Sequence, residues 1–284
     1  MTSLAFGSPL RDRVLEKLGF AAAPPPDLAG LAALYARWCQ RVPFDNVRKL
    51  IHLRSGTPGP LPGDAAADFF GAWLAQGTGG TCWAGSGALC ALLESLGFAA
   101  RRGIATMLVA PDLPPNHGTV SVQLEGASWL VDASMSHGEP LRLDPARETT
   151  VAHAAWGVVA RPLAGTWIVR LRAPHRLDGI DCRIESLAGS AAEFAVLHER
   201  TRSWSPFNYS LYLRVLRDDR VIGAAFGQRV EIRDSGAAVV TPLDVPGRLR
   251  LLEEAGFSAE IAARLPDDLP LPSPPGSRSA ERAQ

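Results

Sequence analysis

His117-Gly118-Thr119-Val120-Ser121-Val122-Gln123-Leu124-Glu125-Gly126-Ala127-Ser128-Trp129-Leu130-Val131-Asp132 reads as one β-hairpin. Val120, Val122 and Leu124 alternate with Thr119, Ser121 and Gln123, Glu125 to Ser128 supplies turn chemistry, and Trp129-Leu130-Val131 is a second strand run. Strands joined in this way are antiparallel. With the turn centred near Glu125 and Gly126, His117 falls opposite Asp132 or one diagonal step away, where same-face neighbours are ~5–8 Å apart. A carboxylate so placed is expected to bond the imidazole Nδ1–H and leave Nε2 to take a proton from a nucleophile.

The nucleophile lies upstream, in Gly79-Gly80-Thr81-Cys82-Trp83. The glycines permit a sharp turn, after which Leu89, Leu92, Leu93 and Leu96 recur at helical spacing and Gly97 offers a stop. Cys82 is therefore expected on the first turn of a helix, where unpaired N–H groups and the positive dipole end favour a thiolate and can hold an oxyanion. The other cysteines lack this setting. Cys39, Cys90 and Cys182 read as small core hydrophobes, and His52, His137, His153, His175 and His198 have no partner visible in the sequence.

The chain of 284 residues, 46% hydrophobic, can bury a large core and is long enough for two or three subdomains. Its formal net charge is zero, so nothing points to nucleic acid or an anionic membrane as a partner. All but two of its basic residues, Lys17 and Lys49, are arginine, which fits a GC-rich genome. No charged-then-apolar start and no apolar run of ~18 residues is present. Four irregularly spaced cysteines make neither a disulfide framework nor a paired zinc signature. The expectation is a cytoplasmic protein without metal or cofactor.

The first third reads helical: Arg11–Leu18 ends at Gly19, Asp27 precedes Leu28, Leu31, Leu34, Tyr35 and Trp38, and Asp64 precedes Phe69, Phe70, Trp73 and Leu74. Strands are expected at Arg101–Val109, His117–Leu124, Trp129–Asp132, Thr149–Val159 and Thr166–Leu171, enough for a barrel or curled sheet. Ser190-Ala191-Ala192-Glu193 is a capping box that opens a helix running through His198. Strands at Tyr209–Leu216 and Val221–Ile232 and helices at Arg248–Ala255 and Ala259–Leu265 complete the pattern, and Pro266–Gln284 reads as a disordered tail.

In order along the chain, Val42-Pro43-Phe44-Asp45-Asn46, Gly79-Gly80-Thr81-Cys82, His117, Trp129-Leu130-Val131-Asp132 and Ser205-Pro206-Phe207 resemble the motifs of the arylamine N-acetyltransferase family. The resemblance covers roughly Leu28 to Leu265. It implies an α+β fold with a cysteine-protease-like core: a helical bundle over residues 1–98, an antiparallel β-barrel over 99–188 and an α/β lid over 189–265, followed by a tail over 266–284. It also implies a Cys82-His117-Asp132 triad, in which Cys82 is acylated by a thioester and His117 serves as base and then acid. Asp132 would orient His117. Phe44, Trp83 and Phe207, within or beside these motifs, are the expected substrate contacts.

Departures from the family pattern bear on the acyl donor. Thr78 stands where the family has arginine, which removes a cationic partner from Asp45, and Ala84 replaces an acidic or amide residue. After Asp132 the family's glycine-bearing loop, near the coenzyme A pyrophosphate, reads Ala133-Ser134-Met135-Ser136. β-Carbons there obstruct close approach to phosphate. These features favour an off-loading enzyme of natural-product assembly lines, which accepts a polyketide or peptide chain from a carrier-protein thioester onto Cys82. Release would follow by internal attack, as in a Dieckmann cyclase. The alternatives are an acetyl-CoA-dependent arylamine N-acetyltransferase, a macrolactam-forming amide synthase and, in a different class, a non-catalytic binding protein.

Overall fold

The computed structural model describes residues 7–110 and 113–273. The first third holds α1 (Ser8–Leu18), α2 (Leu28–Arg41), the two-residue β1 (Phe44–Asp45), α3 (Val47–Ser55), α4 (Ala66–Gln76) and α5 (Cys82–Ser95). The Asp27 carboxylate caps α2 by accepting the Gly30 N–H at 2.7 Å. Leu31, Leu34, Tyr35 and Trp38, spaced for one helix face, are all fully buried. Asp64 does not cap α4. That helix starts from Ala65, and Asp68 closes its entrance instead, accepting the Gly63 N–H and pairing with Arg48 at 2.7 Å. The helix α3 was not anticipated, although Val47, Leu50 and Ile51 recur at helical spacing before Gly56.

Eight strands follow: β2 (Ala99–Met107), β3 (His117–Leu124), β4 (Ala127–Val131), β5 (Leu141–Leu143), β6 (Thr149–Val151), β7 (Val158–Leu163), β8 (Thr166–Ala173) and β9 (Arg176–Gly189). They form one antiparallel sheet in the order β5-β4-β3-β2-β9-β8-β7-β6, whose edge strands β5 and β6 come together and nearly close it into a barrel. Alternation fills the inside: Ile180, Cys182 and Ile184 of β9 pack with Val169, Leu171 and Leu141. The expected strand at Thr149–Val159 is two short strands, broken at residues 152–157.

The remaining elements are α6 (Ala191–Arg200), β10 (Tyr212–Arg217), β11 (Arg220–Ala225), β12 (Gln228–Ile232), β13 (Ala238–Pro242), α7 (Val245–Glu254) and α8 (Ala259–Ala263). The capping box at Ser190 and Glu193 is formed in both directions. The run Val221–Ile232 folds as a hairpin, turning at Phe226 and Gly227 with positive φ. The second sheet has the order β1-β10-β11-β12-β13, so a two-residue strand from the helical third forms its edge. Residues of α7 and α8 share a core with it through Leu213, Val215, Leu251 and Ile261.

The described start of the Pro-rich tail is anchored, contrary to the reading of 266–284 as disordered throughout. The Asp268 carboxylate accepts the Leu211 N–H, and the Leu269 N–H reaches the Tyr209 carbonyl. Residues 274–284 lie outside the described part of the chain.

Candidate active site

The hairpin fixes the first pair of functional groups. Glu125 and Gly126 both take positive φ, and Val120 pairs with Val131. That register makes Asp132 diagonal to His117. Their side chains meet at 2.7 Å, but through Nε2, not the Nδ1 that the sequence reading assigned to the carboxylate. The cause is reach: diagonal neighbours are ~7–8 Å apart at Cα, a gap spanned by the ring nitrogen farther from the backbone. Nδ1 is then the nitrogen left for a thiol.

Both partners are almost completely buried. Burial alone would depress the His117 imidazolium, but the Asp132 charge, their hydrogen bond and the Cys82 sulfur outweigh it and hold the pKa at about 10. Burial likewise disfavours the Asp132 carboxylate. The His117 charge and donated hydrogen bonds prevail and keep its pKa well below the usual range. Oδ1 of Asp132 accepts the N–H groups of Ser134 and Met135 and the Ser134 hydroxyl, all at 2.8–2.9 Å, which leaves Oδ2 for His117.

Tyr35, which the sequence reading used only as a core position, secures the same residue from α2. Its hydroxyl donates to the Asp132 carbonyl at 2.8 Å and accepts the Asp132 N–H at 3.1 Å. The available signal was elementary: a tyrosine on a fully apolar helix face must find a partner for its hydroxyl.

Cys82 is the first residue of α5, where the opening amides lack an intrahelical acceptor. Its position depends on Gly79, where a β-carbon would lie 1.8 Å from the Pro43 carbonyl oxygen. The Gly79 N–H donates to Asp45 Oδ2 at 2.6 Å and the Asp45 N–H donates to the Gly80 carbonyl, so the Pro-Phe-Asp-Asn segment is seated on the glycine turn. Asp45 has no cation within ion-pair distance among the described residues. Burial pushes its pKa up to about 6 against the two amides that it accepts. The Cys82 thiol donates to the Asn116 carbonyl at 3.8 Å, one residue before His117. Cys39, Cys90 and Cys182 are buried, and burial drives the first two thiols up to about 12.

Cys82 and His117 open onto a cleft of about 920 Å³ counted out to its mouth. Phe44 and Phe207 line it, and with Tyr212 they form an edge-to-face cluster with ring centroids 4.9–5.4 Å apart. Trp83 contributes to the wall while its ring packs against Phe194 at 4.9 Å. Asn46 joins two distant motifs: its side chain donates to the carbonyls of Phe207 and Ser210 and accepts the Tyr212 N–H. His175 also lines the cleft and bonds the Tyr212 hydroxyl at 3.1 Å.

Sequence reasoning missed two further lining residues, Lys49 and Arg214. Lys49 is buried on α3 and donates to the Thr201 hydroxyl at 2.8 Å, and burial lowers its pKa to about 7. As one of two lysines in the chain, it stood out by composition. Arg214 is Phe44's cross-strand partner on β10.

The chain matches the family model described as N-acetyltransferase over residues 27–176. The arylamine N-acetyltransferase of Mycolicibacterium smegmatis is 30% identical over 147 residues, and the match spans about half the length of that relative (51%) and 48% of this chain. Among solved structures, the enzyme of Salmonella typhimurium superposes with a TM-score of 0.74 at 19% identity, over 90% of this chain and 97% of its own. The Mycobacterium marinum enzyme in complex with CoA gives 0.71 at 20% identity, over 88% and 96%. The structural likeness speaks for the fold and the sequence match for descent. With the family model covering more than half of its residues, this chain belongs to the arylamine N-acetyltransferase family.

Proposed function

We propose that this chain is an acyltransferase that carries an acetyl group from coenzyme A, through a thioester on Cys82, to an aromatic amine. The observation that carries the proposal is the buried His117–Asp132 contact of 2.7 Å, set beside a cysteine on the first turn of α5. In this reading the Cys82 proton already rests on His117 Nδ1 before attack, and Sγ adds as a thiolate to the thioester carbon beside the imidazolium that Asp132 stabilises. The first-turn amides of α5 receive the developing oxyanion. His117, held as imidazolium, then gives its proton to the departing coenzyme thiolate. The amine attacks the acyl-enzyme, loses a proton to His117 and releases Cys82. Phe44, Phe207 and Tyr212 supply an aromatic wall suited to a flat acceptor. Family membership and the CoA held by the solved Mycobacterium marinum enzyme support the choice of donor.

The test is intact-protein mass spectrometry with acetyl-CoA, followed by an arylamine. A 42 Da adduct on Cys82 that the amine discharges is the expected result (the mass is that of an added C2H2O, roughly 42 Da), and no adduct in wild type rejects the proposal.

One observation favours a second reading, off-loading from a carrier-protein thioester. The amides of Ser134 and Met135 both turn inward onto Asp132, and the Ser134 and Ser136 β-carbons occupy the loop that the family places near the coenzyme pyrophosphate. A β-ketoacyl-aminoacyl thioester mimic that loads Cys82 and cyclises, where acetyl-CoA does not load it, would replace the first reading by this one.

A further inference from the structure

We propose that Arg214 forms an anion subsite in the Cys82 cleft, so that the substrate joins an apolar or aromatic body to one acidic oxygen group, a carboxylate or an enolate. The inference takes from the acyl-transfer reading only the identity of the cleft. Arg214 is 2% exposed, lines the cleft, and shares one face of the second sheet with Phe44 and Tyr212. A guanidinium keeps its charge in a protein interior. Yet this one makes a single hydrogen bond, from Nη1 to the Arg172 carbonyl at 2.8 Å, and its buried Nε has no partner. No carboxylate among the described residues forms an ion pair with it.

Asp132 acts on it only at longer range and has its own partner in His117. A buried charge without an adjacent counter-ion is costly, and an apolar side chain of similar volume would pack at lower cost unless an anion arrives. The contrast with Lys49 is informative. That ammonium already has the Thr201 hydroxyl and carbonyl as acceptors. Among the described charged side chains on the cleft wall, Arg214 is the one that combines full burial with an orphaned donor. Its planar fork matches the two oxygens of a carboxylate, and equally those of a 1,3-dicarbonyl enolate.

Binding to Cys82→Ala protein, followed by calorimetry, tests the subsite without turnover. Benzoate is compared with neutral benzamide, and an acyl tetramic acid with its O-methyl ether. At least one anion is expected to bind about 10- to 100-fold more tightly than its neutral counterpart. The benzoate arm identifies a carboxylate and the tetramic acid arm an enolate. Arg214→Gln should reduce the preference to within about twofold while leaving the neutral ligand's affinity unchanged, and Arg214→Lys should restore part of it. Absence of any preference in both arms overturns the proposal even if the Arg214 variants do not fold. So does a preference that survives Arg214→Gln. Wild-type acetylation by acetyl-CoA is read separately, so failure of the subsite and failure of acyl transfer are distinguishable.

Discussion

Asp132→Asn isolates what the buried carboxylate contributes. In the wild type Oδ1 holds the 134–135 turn and Oδ2 meets His117 Nε2. Asparagine can keep the Oδ1 contacts, but its Nδ2 is a donor aimed at Nε2. The ring proton must then move to Nδ1, the nitrogen that should accept from sulfur. Without the carboxylate, burial is opposed only by the Cys82 sulfur and the His117 pKa falls from about 10. Breaking a buried pair typically costs about 3–5 kcal/mol of stability. The wrong tautomer should slow Cys82 acetylation by about 10³–10⁴-fold.

The pH dependence has a definite sign. The raised His117 pKa stabilises the fold fully below ~6.5 and loses that contribution as pH climbs through about 10, whereas the depressed Asp132 pKa contributes above ~3.9 and is lost on acidification. The stability difference between wild type and variant should therefore be widest from about pH 4 to 6.5. Denaturant melts across this range and rapid-quench mass spectrometry of the acetyl-enzyme read the two effects. A variant that acetylates within tenfold of wild type, or a stability gap that grows above pH 7, would refute the reasoning.

Three further perturbations follow from particular contacts. Gly79→Ala forces a β-carbon against the Pro43 carbonyl and should destabilise by at least about 2 kcal/mol, measured by denaturant melt, and lower the rate of Cys82 labelling by iodoacetamide. Asn46→Ala leaves the Tyr212 N–H and the Phe207 and Ser210 carbonyls without their partner, a loss of about 3–5 kcal/mol that calorimetry should register. Lys49 has a depressed pKa, so the unfolded chain binds the extra proton between about pH 7 and 10.5 and wild-type stability relative to Lys49→Met should rise with pH across that window; a flat difference would count against it.

The hairpin was legible because its turn and alternation are local, and β3 runs over the residues the pattern predicted. The Ser190 capping box was legible for the same reason. What escaped was either short or polar. The two-residue β1 has no periodicity to read, yet it brings Phe44 beside Arg214. The long β9 does alternate, Ile180, Cys182 and Ile184 against Asp181, Arg183 and Glu185, but it lies within a run of charges that resembles surface loop. Lys49 and Arg214 were hidden because a charged residue in a sequence defaults to solvent. Only the assembled cleft shows that these two are buried.

The exchange of ring nitrogens also explains why a glycine follows His117. With Nε2 committed to Asp132, the sulfur must approach Nδ1, on the backbone side of the ring, so α5 has to dock closely on the start of β3. Gly118 permits this: a β-carbon there would lie 2.7 Å from the Trp83 ring. Ser86, one turn along α5, donates to the Gly118 carbonyl at 2.8 Å and fixes the helix at that distance. The residues next to the nucleophile and the base thus set the separation of the pair. A substitution at Gly118 should therefore impair Cys82 acylation while the His117–Asp132 bond persists, a combination that histidine NMR and acetylation kinetics together can resolve.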